Sequence, residues 1–268
     1  MKYPNLLYLS ILLLISHAGI AQDSFQINQY FNKIAIAQSN EERRVYNDSL
    51  TNCILSYLEL GEDKIRVDLS DIKYLGHITS ADSMIRILTW NIPVNGGNNL
   101  YNCIIYNALT DKMILMKAEE GLSEMETDTV IGSKDWYGSL YYDIMALGGA
   151  GEMTYILLGF DPDNVNINAK VIEILHFATD GNPAFGKKVF PDREKAARMI
   201  FKYSPLATMM LKFNRDRTGI IFDHLSPSSP QFKGQYRYYG PDFSYDALEI
   251  KDGKLVLIKD IDLRNENK

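Results

Sequence analysis

Two hydrophobic periods divide this chain. From residue 22 through residue 62, apolar side chains recur every three or four positions, and beyond Ile65 they recur every second position. Residues 23–37 place Ile27, Tyr30, Phe31 and Ile34 at helical spacing, which predicts an amphipathic helix. Ser39 followed by Glu42 reads as a capping box, the hydroxyl accepting from an orphan helical N–H and the carboxylate returning a bond. The helix it opens carries Val45, Cys53, Ile54, Tyr57 and Leu58, with Gly61 as its stop. Residues 22–62 are thus expected to form a helical hairpin, too small to fold alone and packed on the sheet that follows.

The alternating region predicts strands at Tyr74–Thr79, Met84–Ile92, Leu100–Asn107, Lys112–Lys117, Trp136–Leu147 and Met153–Phe160. It continues with Lys170–Phe177, Phe185–Phe190, Met199–Tyr203, Thr208–Phe213, Gly219–Asp223, Phe243–Ile250 and Leu255–Asp260. Turn residues separate them at Ser80–Asp82, Asn95–Asn98, Thr110–Asp111, Gly148–Gly151 and Asp180–Pro183. Lys251-Asp252-Gly253-Lys254 is the sharpest hairpin signal, because Asp-Gly supplies the positive φ of a type I′ turn. A short helical turn capped by Asp192 precedes Met199. The expected fold is mainly β (α+β): residues 63–268 form an antiparallel meander of about a dozen short strands. Sandwich, barrel and curved sheet all remain open, while the absence of a fixed repeat argues against a propeller.

The first 21 residues follow neither pattern. Lys2, the apolar run Leu6–Ile15 and the small residues Gly19-Ile20-Ala21 read as a signal peptide cleaved before Gln22. That run is shorter than the roughly 20 residues of a membrane span, so the mature chain is expected to be exported, periplasmic or secreted. Cleavage removes Lys2 from 28 basic residues, and 27 against 34 acids leave a charge of −7. An acidic surface argues against nucleic acid or anionic lipid as the partner. Cys53 and Cys103 both survive cleavage, and either pair as a staple or remain two buried thiols.

Candidate chemistry concentrates in Gly219–Ile250, which brings a His, several acids and many tyrosines together. His224 serves as a general base if Asp242 or Asp246 orients its ring; alternatively it pins a strand end by hydrogen bonds. Asp223 is expected on the opposite face of the strand from His224. Asp161 and Asp163, in a stretch rich in Asp and Asn, are weak Ca²⁺ ligands better explained as turn residues. His77, His176 and His224 have no zinc-site spacing, and neither a Gly-x-Ser-x-Gly elbow nor a phosphate loop occurs. No metal or cofactor is therefore expected. Aromatic residues make up 11% of the chain and include 17 tyrosines. Tyr137, Tyr141, Tyr236, Tyr238 and Tyr239 are expected to line a surface for a glycan or peptide, with Trp136, Leu140 and Tyr142 facing the core. Glu119, Glu120, Glu124, Glu126 and Asp128 read as a solvated acidic loop.

Three stretches carry a resemblance: Trp136–Tyr142, Phe222–Pro227 and Tyr239–Asp246. Through them residues 70–265 resemble a family of uncharacterised exported proteins of Bacteroidetes. The resemblance implies export and supplies no activity, ligand or catalytic residue. That group O-glycosylates Asp-Ser/Thr-apolar triplets, which Asp48-Ser49-Leu50, Asp82-Ser83-Met84 and Asp128-Thr129-Val130 match, Thr129 in the acidic loop being the plausible acceptor. The expectation is a non-catalytic β-rich binding or structural module of the cell envelope with a tyrosine-rich surface. The alternative is a periplasmic hydrolase built on His224 with Asp242 or Asp246.

Overall fold

A computed structural model describes residues 24–61, 63–119, 121, 126–147 and 153–263, with backbone alone at 163 and 164. The expected signal segment, Glu120 and Glu124 of the acidic loop, and the Gly148–Gly151 connector lie outside the described residues. The chain divides into two compact units, one ending at Leu75 and one beginning at Gly76.

The first unit holds helix α1, residues 24–36, and helix α2, Asn40–Leu60. On α1, Ile27, Phe31 and Ile34 are buried at the expected spacing. On α2 the buried stripe is Asn47, Leu50, Thr51, Ile54, Tyr57 and Leu58. Val45, expected on that stripe, is exposed because it falls outside the three-and-four spacing of these positions. Ser39 caps α2 by accepting from Glu42 N at 3.1 Å, while the Glu42 carboxylate accepts from Gln38 N at 2.8 Å. The return bond therefore lands one residue before the cap. Gly61 has φ −75°, so it is not a left-handed stop. A Cβ there would lie 2.3 Å from Val67 Cγ2, and close packing of the returning chain requires the glycine. That return continues to Leu75, tied by Tyr57 Oη to Asp68 O at 2.9 Å and Asn28 Nδ2 to Asp71 O at 2.7 Å. Tyr74 takes φ 62°, which ends extended backbone short of the strand expected there.

The second unit contains fourteen antiparallel strands in three sheets among the described residues, and the sheets do not close into a barrel. The first sheet is the meander β1 (Gly76–Thr79), β2 (Ile85–Pro93), β3 (Asn99–Asn107) and β4 (Lys112–Ala118). The second comprises β5 (Ile131–Gly132), β6 (Leu140–Ala146), β7 (Thr154–Asn164), β8 (Ile167–Phe177), β9 (Pro183–Phe185) and β10 (Met199–Tyr203). Its order is β5-β9-β8-β7-β6, with β10 pairing the other half of β8. The third is β11 (Leu211–Phe213), β12 (Gly219–Pro227), β13 (Tyr239–Lys251) and β14 (Lys254–Ile258).

The second sheet is the middle layer. Tyr155 and Leu157 of β7 join Ile87, Cys103 and Ile105 of the first sheet in one core cluster. Their neighbours Ile156 and Leu158 join Phe213, Ile220 and Leu248 of the third sheet in the other. Side chains alternate across a strand, so a strand buried on both faces reads as a continuous apolar run, as Tyr155–Leu158 does. Cys53 and Cys103 are both thiols rather than a disulfide. Burial in this apolar core pushes the Cys103 thiol well above its usual pKa.

The strand expected at Phe185–Phe190 is instead Pro183–Phe185, and Gly186, at φ 100°, ends it. A Cβ on Gly186 would approach Arg198 Nη2 to 2.8 Å, so both the backbone and the space demand glycine. The turn at Pro191–Arg193 forms, but Asp192 does not cap it; its carboxylate accepts from Leu257 N at 3.0 Å. The Asp252-Gly253 hairpin forms as expected, with φ 51° and 71°.

Candidate functional site

His224 lies where the β12–β13 ladder is interrupted. Asp223 pairs with Tyr245 and Leu225 with Pro241, so Asp242, Phe243 and Ser244 bulge opposite the single residue His224. Pro241 has no N–H to donate, and proline in a strand belongs at such an irregularity. Asp242 then folds the bulge back on itself, its Oδ1 accepting from Ser244 N at 3.1 Å and from Ser244 Oγ at 2.7 Å. Phe243, between them, takes φ 70° with its side chain 91% exposed. A bulky residue in left-handed backbone is an outlier that surrounding structure must hold in place.

The bulge and the strand bring both expected carboxylates to one imidazole. His224 Nδ1 is 3.0 Å from Asp246 Oδ2, and Nε2 is 4.0 Å from Asp242 Oδ2. Asp246 is nearly buried, and its second oxygen accepts from Asp260 N at 3.1 Å, which fixes the carboxylate that orients the ring. Burial acts to raise the Asp242 carboxyl pKa, but donation from the Ser244 hydroxyl and N–H, the electrostatic attraction of the nearby His224 ring and the neighbouring Ser226 hydroxyl together hold it below the usual value. Asp223 faces the other way, as expected, and its carboxylate accepts from Met210 N at 2.6 Å. His224 itself is half-exposed. The 4.0 Å gap at Nε2 is longer than a hydrogen bond. Of the two nearby hydroxyls, Ser244 bonds to Asp242 at 2.7 Å, and Ser226 lies close enough to help lower its pKa. The arrangement is a carboxylate-oriented imidazole, and among the described residues no hydroxyl is hydrogen-bonded to it.

The tyrosines separate into two groups. Tyr137 and Tyr141, expected on an exposed face, are buried. Gly138 at φ 94° breaks the alternation, and β6 begins only at Leu140, so the period of two cannot be carried back through Trp136. A register shift between Tyr141 and Asp143 then turns Tyr141 into the core and leaves Tyr142 39% exposed, the reverse of the expected faces. Tyr137 instead donates its hydroxyl to Glu173, a fully buried carboxylate that also accepts from Arg198 Nε at 2.8 Å.

Tyr236, Tyr238 and Tyr239 stay near the surface at the end of the β12–β13 ribbon. Tyr238 stacks on Phe232 with centroids 4.1 Å apart and carries the Arg237 guanidinium 4.7 Å from its ring. Tyr236 tilts against Tyr239 at 5.2 Å, with Lys202 5.6 Å from its ring. Beside them runs an open groove of about 360 Å³, lined by Leu206, Ser226, Ser228, Arg237, Tyr238 and Pro241 among others. Leu206 is fully exposed at this groove. Ser226 joins the two features, lining the groove and lying beside Asp242.

Asp161 is not available to a cation. It is fully buried on β7 and accepts from the Tyr101 hydroxyl. The hairpin turn is only residues 165–166, so Asp161 belongs to the sheet rather than the loop. The Asp163 side chain lies outside the described residues, among which no cluster of three or more His, Cys, Asp or Glu could hold a metal. Leu206, Arg237 and the bulge residues Phe243 and Ser244 were not singled out from sequence. The signal available for the bulge was Pro241 followed by Asp-x-Ser, which disrupts a ladder and closes a side-chain turn. No protein-family model matches the chain, and no curated protein matches it.

Proposed function

We propose that this chain is an exported cell-envelope protein, periplasmic or secreted, whose β-rich unit binds a glycan at the groove beside Tyr236–Tyr239. The carrying observation is the fully exposed Leu206 opposite aromatic and serine side chains in one groove. Sugar rings offer apolar C–H faces and many hydroxyls, and that lining answers both, through Tyr238, Pro241 and Leu206 on one hand and Ser204, Ser226 and Ser228 on the other. Arg237 adds a cation suited to an acidic sugar. The resemblance to exported Bacteroidetes proteins and the leader ending before Gln22 support the location.

Glycan-array binding by the mature protein tests this reading. Binding should fall at least about tenfold in Tyr238→Ala and Leu206→Asp, as expected for loss of a buried aromatic or apolar contact. A glycan ligand held unchanged by both variants would refute the groove, and selective binding of peptides would replace the glycan. Amino-terminal sequencing of the envelope fraction should begin at Gln22.

One observation favours a second reading, acid–base catalysis at His224: carboxylates flank both ring nitrogens. An activity abolished in His224→Ala and reduced about 10²-fold or more in Asp246→Asn would establish it.

A further inference from the structure

We propose that the groove beside Tyr236–Tyr239 takes its oligosaccharide in one direction, with a uronic acid at Arg237 and uncharged sugar toward Asp242. This orientation rests on the glycan reading of the groove and adds which unit lies where. The register of the β12–β13 ladder sets the order of groups. Pro227 pairs with Tyr239, Ser226 with Gly240 and Leu225 with Pro241. Ser228 N donates to Tyr238 O at 2.9 Å, one step beyond that ladder. Arg237 therefore lies past one end of the paired segment and Asp242 past the other. Extended backbone rises about 3.3 Å per residue, so Tyr239 and Asp242 stand roughly 10 Å apart along β13, longer than one sugar ring. Arg237 extends the row beyond Tyr239.

One end is built for an anion. In a chain of net charge −6, residues 224–241 contain no Asp or Glu but include Lys233 and Arg237. Arg237 is the charged residue of the described groove lining. Its guanidinium carbon lies 4.7 Å from the Tyr238 ring, which itself stacks on Phe232 at 4.1 Å. Arg237 has no hydrogen bond or ion pair among the described residues, so its donors remain for a ligand. A guanidinium laid on an aromatic ring is already ordered, and its planar fork fits a carboxylate through two parallel bonds.

The other end is built against one. Asp242 and Asp246 flank the single imidazole of His224, so this end is negative whether or not the ring is protonated. A carboxylate here accepts from sugar hydroxyls and repels a second carboxylate. Between the two ends, Ser226 and Ser228 supply hydroxyls, and Tyr238, Pro241 and Leu206 supply apolar surface for uncharged rings. A ligand with its acid at one terminus satisfies both ends at once. The reverse placement leaves Arg237 without a counter-charge and sets carboxylate against carboxylate at Asp242.

The test measures affinities of the mature protein for matched trisaccharides of several backbones, each in neutral, singly uronic and fully uronic form, with a tetraglutamate peptide beside them. The best singly uronic ligand should bind at least about tenfold more tightly than its neutral counterpart, the effect of one charge-assisted pair. Arg237→Gln should abolish that preference, and Arg237→Lys should keep part of it, since an ammonium supplies the charge without the fork. Fully uronic ligands should bind more weakly than singly uronic ones, and Asp242→Asn should narrow the gap. Equal binding of neutral and singly uronic forms, or a preference intact in Arg237→Gln, would overturn the assignment at Arg237, while the groove stands if Tyr238→Ala still weakens binding. Fully uronic ligands held as tightly as singly uronic ones would overturn the direction. Tetraglutamate held above every glycan would put a peptide in the groove and overturn the uronic acid. Absence of all glycan binding would overturn the groove reading and the orientation with it.

Discussion

Glu173 of β8 pairs with Arg198, in the bend before β10, with neither side chain exposed. Arg198 also donates to Glu126 O at 2.7 Å and Phe185 O at 3.1 Å, so one guanidinium satisfies a buried carboxylate and two carbonyls. Arg198→Met leaves Glu173 buried without its counter-charge and should cost about 3–5 kcal/mol by urea unfolding. Glu173→Leu with Arg198→Met should recover part of that loss, because no buried charge then remains. At Asp82, burial acts upward on the carboxyl pKa but is outweighed by donors: Ser80 Oγ at 2.5 Å, Met84 N at 3.0 Å and Tyr155 Oη at 2.9 Å. Asp242 is lowered in the same direction. A folded pKa below the unfolded value, about 3.9, stabilises the protein above that pH and ceases to do so as pH falls through the folded pKa. Melting temperature should therefore drop as pH is lowered below about 4, and Asp82→Asn should flatten that slope.

At the scale of elements, the hairpin that closes the third sheet depends on two consecutive positive φ angles, 51° at Asp252 and 71° at Gly253. Gly253→Val should destabilise by about 1–2 kcal/mol in thermal unfolding, since left-handed backbone penalises a branched side chain. Phe243 meets the same backbone penalty without the benefit of burial. Phe243→Gly should leave stability within about 1 kcal/mol of native, the relief of strain offsetting the greater freedom of the unfolded chain. If the site around His224 uses the exposed ring, the same change lowers its binding or activity. The Asp252-Gly253 turn was legible because two residues dictate its geometry. The stripe of α1 was legible because burial repeats at the helical period. The faces of Tyr137, Tyr141 and Tyr142 were not, because Gly138 and a register shift reset the alternation, although Trp136 is buried as expected. The His224 constellation was only half legible. Its members lie close in sequence, but their convergence depends on a bulge whose size is set by cross-strand pairing.

At the scale of the whole molecule, both apolar clusters draw only on residues after Gly76. Residues 76–268 should therefore fold alone, giving a cooperative urea transition and β-type circular dichroism. A broad or absent transition would show that the first unit completes the core. Layer order was not legible from sequence, since a doubly buried strand announces two covered faces without naming what covers them. The pairing list has a further consequence, for the order of events in folding. The first and third sheets join only strands adjacent in sequence, so their contacts close over short loops. The middle sheet has two exceptions. Ile131 of β5 meets Phe185 of β9, and Met199 of β10 meets Ile172 of β8, across intervening strands or turns. Longer loops close more slowly. The outer meanders should therefore acquire protection from hydrogen exchange before β5 and β10 do, and the layer buried deepest should be the last to be completed.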